Sequence, residues 1–196
     1  MATDIDITFE PVAQALQKLQ VRFCVCGSVA EAVHGGMGAT ANIDVVAELQ
    51  TEQVAPLIQL LGETFYADEV SMKEAIARRS SFNLIHQGTF IKVDIFAPKD
   101  REYDQQVLER CAVAKLGVDE DSIEAPVCQP EDIILAKLEW FRLGGETSER
   151  QWHDILGVIK LQYFDLDFEY LQKWAPEIDV ADLLERALDE SGLKES

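Results

Sequence analysis

Residues 22–49, "RFCVCGSVAEAVHGGMGATANIDVVAEL", change their hydrophobic period twice, and this constrains the fold more than any other stretch. "RFCVC" is a short apolar run that reads as a buried strand. Gly27 and Ser28 break it, and "VAEAVHG" returns to a helical pattern. "NIDVVAEL" then alternates: Asn42, Asp44, Val46 and Glu48 fall on one face of a strand, Ile43 and Val45 on the other. A strand, a tight turn, a helix and a second strand thus follow one another within one short segment.

The flanking sequence extends this pattern. "FEPVAQALQKLQ" sets Phe9, Val12, Ala13, Leu16 and Leu19 on one helical face, and Thr51 is placed to cap a helix over "EQVAPLIQLLGETF". "SFNLIHQGTFIKVDIFAP" is two β-rich runs joined at Gln87-Gly88, a hairpin that ends near Pro98. "EYDQQVLERC" reads as helix, "CAVAKL" and "SIEAPVC" as short strands. From Pro130 the character changes. "QPEDIILAKLEWFRLGG" carries Pro and two acids at its start and Gly-Gly at its end, the asymmetry of a helix. Helical segments follow in "SERQWHDILGVIKL", "DFEYLQKWA" and "VADLLERALDES". The expected division is a mixed α/β core over 1–128 and a helical part over 129–196, packed on that core.

Charge and cysteine usage exclude several classes. Against 36 acidic residues stand 17 Lys and Arg, a net charge of −19 that repels polyanions and removes the basis of non-specific nucleic-acid binding. The apolar runs are far shorter than the ~20 residues of a spanning helix. The N-terminus is acidic where a signal peptide would be basic and then apolar, so a cytoplasmic protein without membrane contact is expected. Cysteines at 24, 26, 111 and 128 show no CxxC spacing and indicate neither a disulfide framework nor a zinc site. Cys24 and Cys26 read as same-face residues of a buried strand. His34, His86 and His153 are not spaced as metal ligands, and Trp140, Phe141 and Trp152 read as packing between helices.

A Gly-Ser turn between a strand and a helix aims backbone N–H groups and a hydroxyl at one spot, where the helix dipole favours a phosphate. Alone, such a turn is better explained by sterics. Two acids on apolar strands add to it: Asp44 between Ile43 and Val45, and Asp94 between Val93 and Ile95. Carboxylates on adjacent strands that point the same way hold magnesium against a nucleoside triphosphate.

The order of an apolar residue, Gly27-Ser28, thirteen intervening residues, "NIDV" and the later "KVDIF" resembles the signature of the DNA polymerase β-like nucleotidyltransferase superfamily. Through "GSVAEAVHG", "TANIDVV", "FNLIH", "KVDIF" and "PEDIILAKLEWFRLGGETSERQWHDILGVI" the chain is most similar to small bacterial members related to abortive-infection and toxin nucleotidyltransferases. The resemblance spans about residues 10–190 and implies an α+β fold, a nucleotidyltransferase-like mixed β-sheet with flanking helices followed by a C-terminal helical part. It also implies an Mg-NTP donor, transfer of a nucleoside monophosphate to an acceptor hydroxyl, and release of pyrophosphate, and it leaves the acceptor open. Gly27 and Ser28 would contact the triphosphate, Asp44 and Asp94 would ligate Mg²⁺ with Asn42 beside them, Lys137 would approach phosphate, and Asp154 would assist. The alternatives are a solvated helix position for Lys137 and an ion pair with Arg150 for Asp154.

Two positions depart from the family's "R-x-T-x-D-I-D". Here "GATANID" puts Gly38 in place of the arginine and Asn42 in place of the first acid. An amide oxygen ligates Mg²⁺ but lacks the charge that holds a hard dication. Glu48 shares the face of Asp44 but lies ~13 Å along the strand at ~3.3 Å per residue, too far to substitute. The rival reading is a catalytically degenerate module that binds a nucleotide or a protein.

Overall fold

In the computed structural model, which describes residues 3–36, 42–119 and 121–192, the chain begins with a capped helix, α1 (Asp4–Lys18). The apolar pattern of the sequence puts the helix start at Phe9. The capping box of Thr3 and Asp6 moves it upstream: Asp6 Oδ2 accepts the Thr3 N–H at 2.8 Å, Thr3 Oγ1 accepts the Asp6 N–H at 3.2 Å, and Pro11 falls inside the helix. Asp6 Oδ1 also accepts the Ile123 N–H at 3.0 Å, which ties the helix start to a segment far along the chain.

Next come β1 (Phe23–Cys26), α2 (Gly27–Val33) and β2 (Asn42–Ala47), the strand, turn, helix and strand read from the sequence. Thr51 does not cap a helix. It lies within a 3-10 turn, Thr51–Gln53, where Gln53 Oε1 accepts the Gln50 N–H at 2.9 Å ahead of α3 (Val54–Leu61). Two elements had no sequence signal: the two-residue strand β3 (Phe65–Tyr66) and the helix α4 (Glu69–Ala77), capped by Asp68. The hairpin is β4 (Ser81–His86) and β5 (Lys92–Phe96), and its turn is organised by His86, whose Nδ1 accepts the Thr89 N–H at 3.1 Å. Then follow α5 (Glu102–Arg110), β6 (Ala112–Lys115) and β7 (Glu124–Val127).

These strands form a mixed seven-stranded sheet in the order β3-β4-β5-β2-β1-β7-β6. β2 runs parallel to β5 and antiparallel to β1, and β1 runs parallel to β7. One face is apolar throughout: Phe23, Val25, Ile43, Val45, Leu84, Val93 and Ile95 are buried, and Phe9 of α1 meets Phe23 edge-on at 6.2 Å. Each such side chain contributes about 1.5–3 kcal/mol by leaving water. The other face of β2 and β5, with Asn42, Asp44, Lys92 and Asp94, stays partly open.

The described residues divide into two compact units. The first holds α1 to α5 and the sheet and ends at Cys128. The second runs from Gln129 and includes the turn at His34. It consists of α6 (Pro130–Leu143), α7 (Glu149–Gln162), α8 (Phe168–Glu177) and α9 (Ala181–Glu190). Phe141 and Trp152 stack between α6 and α7 at 5.1 Å, whereas Trp140 is 53% exposed and does not fill the packing position expected of it. The acids at the start of α6 are buried: Glu131 Oε1 accepts the Asp167 N–H at 2.8 Å and Asp132 Oδ1 accepts the Tyr170 hydroxyl at 2.7 Å, so both anchor α8. Arg142 donates to Asp182 at 2.6 Å, joining α6 to α9.

Candidate active site

Strand register sets the geometry. On β2 and β5, Asp44 is the direct partner of Asp94 and Asn42 of Lys92. Partners in neighbouring parallel strands point to the same face about 4.8 Å apart. The two carboxylates therefore lie side by side on the open face. The row continues outward on both sides, since Cys26 on β1 pairs with Asp44 and Asn83 on β4 pairs with Asp94. Its members are half-buried or exposed, while the residues between them, Val25, Ile43, Val93 and Leu84, are buried.

Gly27 ends β1 beside this row. Its φ is +60°, which disfavours an L side chain, and a Cβ added there would overlap the Asp44 carboxylate, coming within 2.8 Å of Cγ. The missing side chain is what lets the Asp44 carboxylate lie against the turn. Ser28 follows, half-buried.

Burial pushes the Asp94 carboxyl above its ordinary range, and the Lys92 ammonium opposes that rise. Lys92 sits two residues before Asp94, so the same alternation that singled out Asp94 puts Lys92 on its face. Sequence reading passed over it. Asn83 could be found only through the hairpin register.

Two carboxylates and an amide offer oxygen ligands, and the neighbouring Lys92 ammonium brings the formal charge of the group to −1. Asp44 and Asp94 suit a single hard dication with oxygen ligands, and the carboxylate position held open by Gly27 fits that use. Asn42 adds an oxygen and no charge.

Lys137 and Asp154 belong to the second unit. Lys137 is half-buried on α6 and Asp154 is exposed on α7. Gly38 lies outside the described residues. Glu48 follows the end of β2, where Arg22 Nε donates to it at 2.9 Å and Gln105 at 3.0 Å, so it is a structural anchor. An apolar groove of about 770 Å³ in the second unit, lined by Tyr163, Phe164, Phe168 and Leu184, contains none of the residues singled out in the sequence. Among the described residues, no helix is long and apolar enough to cross a membrane.

The expectation of unlinked cysteines is corrected. Cys24 is bonded to Cys111 across 87 residues of sequence, a pairing brought about by the approach of the α5–β6 junction to β1, which no local spacing announces.

No family model matches the chain, and no curated protein matches it in sequence. Solved structures do resemble it. An antigenic nucleotidyltransferase-like protein from Paracoccidioides brasiliensis shares 15% identity over 95% of this chain and 92% of its own, with a TM-score of 0.54. The antibiotic-resistance factor ANT(2'')-Ia shares 14% over 95% of each chain, with a TM-score of 0.49. The mixed sheet and its flanking helices, matched across nearly the whole chain by the first of these, give this protein the α+β fold of that nucleotidyltransferase-like protein.

Proposed function

We propose that the chain binds Mg-NTP through Asp44 and Asp94 and transfers the nucleoside monophosphate to an acceptor hydroxyl. The observation that carries this reading is the in-register Asp44/Asp94 pair beside the Gly27 turn. Magnesium held by these carboxylates supplies neutralisation of the triphosphate charge. Ser28 donates its hydroxyl to a phosphate oxygen. Lys92, across from Asn42, offers a fixed positive charge where the family has an acid facing it. The Asp94 carboxylate would accept the proton of the acceptor hydroxyl as that oxygen bonds to the α-phosphorus. The bond from the α-phosphorus to the bridging oxygen breaks, and pyrophosphate leaves with that electron pair. Lys137 and Asp154 enter this reading only through the family resemblance.

The pairing of Asn42 with Lys92 favours a second reading, a nucleotide-binding module without turnover, because it weakens the site for a second dication. Calorimetry with Mg²⁺ and each NTP distinguishes them, together with a pyrophosphate-release assay on the wild type and Asn42→Asp. Nucleotide binding that requires Mg²⁺, is lost in Asp44→Ala and tightens in Asn42→Asp is the expected outcome. Pyrophosphate release by the wild type supports the enzyme; release only after Asn42→Asp supports the degenerate module. Mg-NTP binding unchanged in Asp44→Ala would refute both.

A further inference from the structure

Three of the four cysteines converge at Cys24, which shares the face of Cys26 two residues along β1. Cys24 on β1 is bonded to Cys111 at the end of α5, and the Sγ of Cys128, just past β7, lies 3.0 Å from the Sγ of Cys24. All three sulfurs lie within 4.8 Å of one another. Cys24, already in a disulfide, has no S–H to give, so Cys128 is the donor of this contact. Cys24 and Cys128 are buried, whereas Cys111 is half-exposed. A thiol this close to a disulfide sulfur can enter thiol–disulfide exchange once the three sulfurs turn into line.

We propose that Cys24, Cys111 and Cys128 form an exchangeable redox centre in which Cys24 alternates between the two other sulfurs. The Cys128 thiol loses its proton and the thiolate attacks Cys24 Sγ. A Cys24–Cys128 bond forms, the Cys24–Cys111 bond breaks, and its electron pair leaves on Cys111, which takes up a proton. Atoms and electrons balance without an external oxidant. The leaving sulfur has an acceptor ready, since Cys111 Sγ lies 3.1 Å from the Val107 carbonyl oxygen, which would accept its S–H. The incoming bond requires the two sulfurs to close by ~1 Å, toward an S–S length of ~2.05 Å. β1 and β7 are already joined there, because the Cys128 N–H donates to the Val25 carbonyl at 2.9 Å.

The exchange changes what β1 is tied to. In one form Cys24 staples β1 to the α5–β6 junction. In the other it staples β1 to β7, and Cys111 becomes a half-exposed thiol open to an external dithiol or disulfide. The attacking species is the Cys128 thiolate, so the exchange accelerates as pH rises. Cys24 lies three residues before Gly27, so both forms act on the strand that carries the Gly27-Ser28 turn.

The test uses the full chain in its oxidised form. Protein held at pH 7 or pH 9 is quenched in acid, unfolded, labelled with N-ethylmaleimide and digested without reductant, and the linked peptides are identified by mass spectrometry. Both Cys24–Cys111 and Cys24–Cys128 linkages are expected, approaching a constant ratio faster at pH 9, with Cys26 labelled in every sample as the reference thiol. Cys128→Ser should show the first linkage alone, and Cys111→Ser treated with diamide should form the second. A single Cys24–Cys111 linkage in the wild type at both pH values, however long the incubation, would overturn the proposal. So would protein purified with these three thiols reduced around one equivalent of zinc or copper, which would make the cluster a metal site.

Discussion

Replacing Gly27 with alanine probes whether the turn and the Asp44 carboxylate share one space. Two costs arise. An L residue at φ +60° is strained by about 1–2 kcal/mol. The new Cβ also meets the Asp44 carboxylate, with Cγ at 2.8 Å and Cβ at 3.0 Å, and overpacking of this kind costs about 1–3 kcal/mol. Gly27→Ala should therefore lower stability by about 2–5 kcal/mol, a large part of the ~5–15 kcal/mol typical of a domain. Urea unfolding followed by far-ultraviolet circular dichroism reads this as a lower midpoint at unchanged slope. Fluorescence is unsuitable, because Trp140, Trp152 and Trp174 all lie in the second unit.

The clash is isolated by repeating the substitution in an Asp44→Ala background. That change removes the two worst contacts and leaves the Asp44 Cβ at 3.0 Å, so part of the cost remains. A coupling of about 1 kcal/mol or more between the two positions is expected, within the ~0.5–3 kcal/mol seen for residues in contact. Costs that add to within about 0.3–0.5 kcal/mol would show that Gly27 is required by its backbone alone and that the carboxylate does not occupy the turn. This result depends on neither metal nor nucleotide.

Burial raises the Asp94 carboxyl against the pull of Lys92, so its contribution to stability is full below the ordinary carboxylate range and is lost as pH rises through its raised value. Asp94→Asn should thus unfold at higher urea than the wild type at pH 7, with the difference shrinking toward pH 4; an equal or lower midpoint at pH 7 contradicts this. Asp6 has the opposite sign: burial alone would raise it, but hydrogen bonds from the Ile123 N–H and from Thr3 hold it below the ordinary range. Its contribution is present above that range and lost as pH falls through the depressed value. Asp6→Asn should therefore cost about 1–3 kcal/mol at neutral pH and progressively less below pH ~4, and a cost independent of pH would place the stabilisation in shape and not in charge.

The sequence reading was strongest wherever one residue's neighbours decide its face. Alternation alone put Asn42 and Asp44 on one side of β2 and Ile43 and Val45 on the other, as the burial along the strand has it. Alternation also holds for β5, where Lys92 obeys the same rule as Asp94. Elements with little periodic burial escaped: β3 is two residues long, and α4 buries only Met72 and Ala75. α1 starts upstream of its apolar pattern because the reciprocal bonds of Thr3 and Asp6 cap it there.

Pairing across the chain is a different kind of information. Asp44 and Asp94 become neighbours only because β2 and β5 run parallel, and Asn83 joins them through the hairpin that brings β4 alongside β5. Nothing within either strand encodes that register; it follows from burying Ile43, Val45, Val93 and Ile95 on one face, since a one-residue slip of either strand would send its apolar pair to water and its acid into the core. The apolar residues thus position the charged ones. The cysteines had no such indirect support. Cys24 was legible as a buried strand residue, which it is, but its bond to Cys111 and its contact with Cys128 arise where α5 and the end of β7 both reach β1. A buried small side chain and a redox-active one satisfy the same hydrophobic pattern, so composition and spacing could not separate them, and only the meeting of three distant segments does.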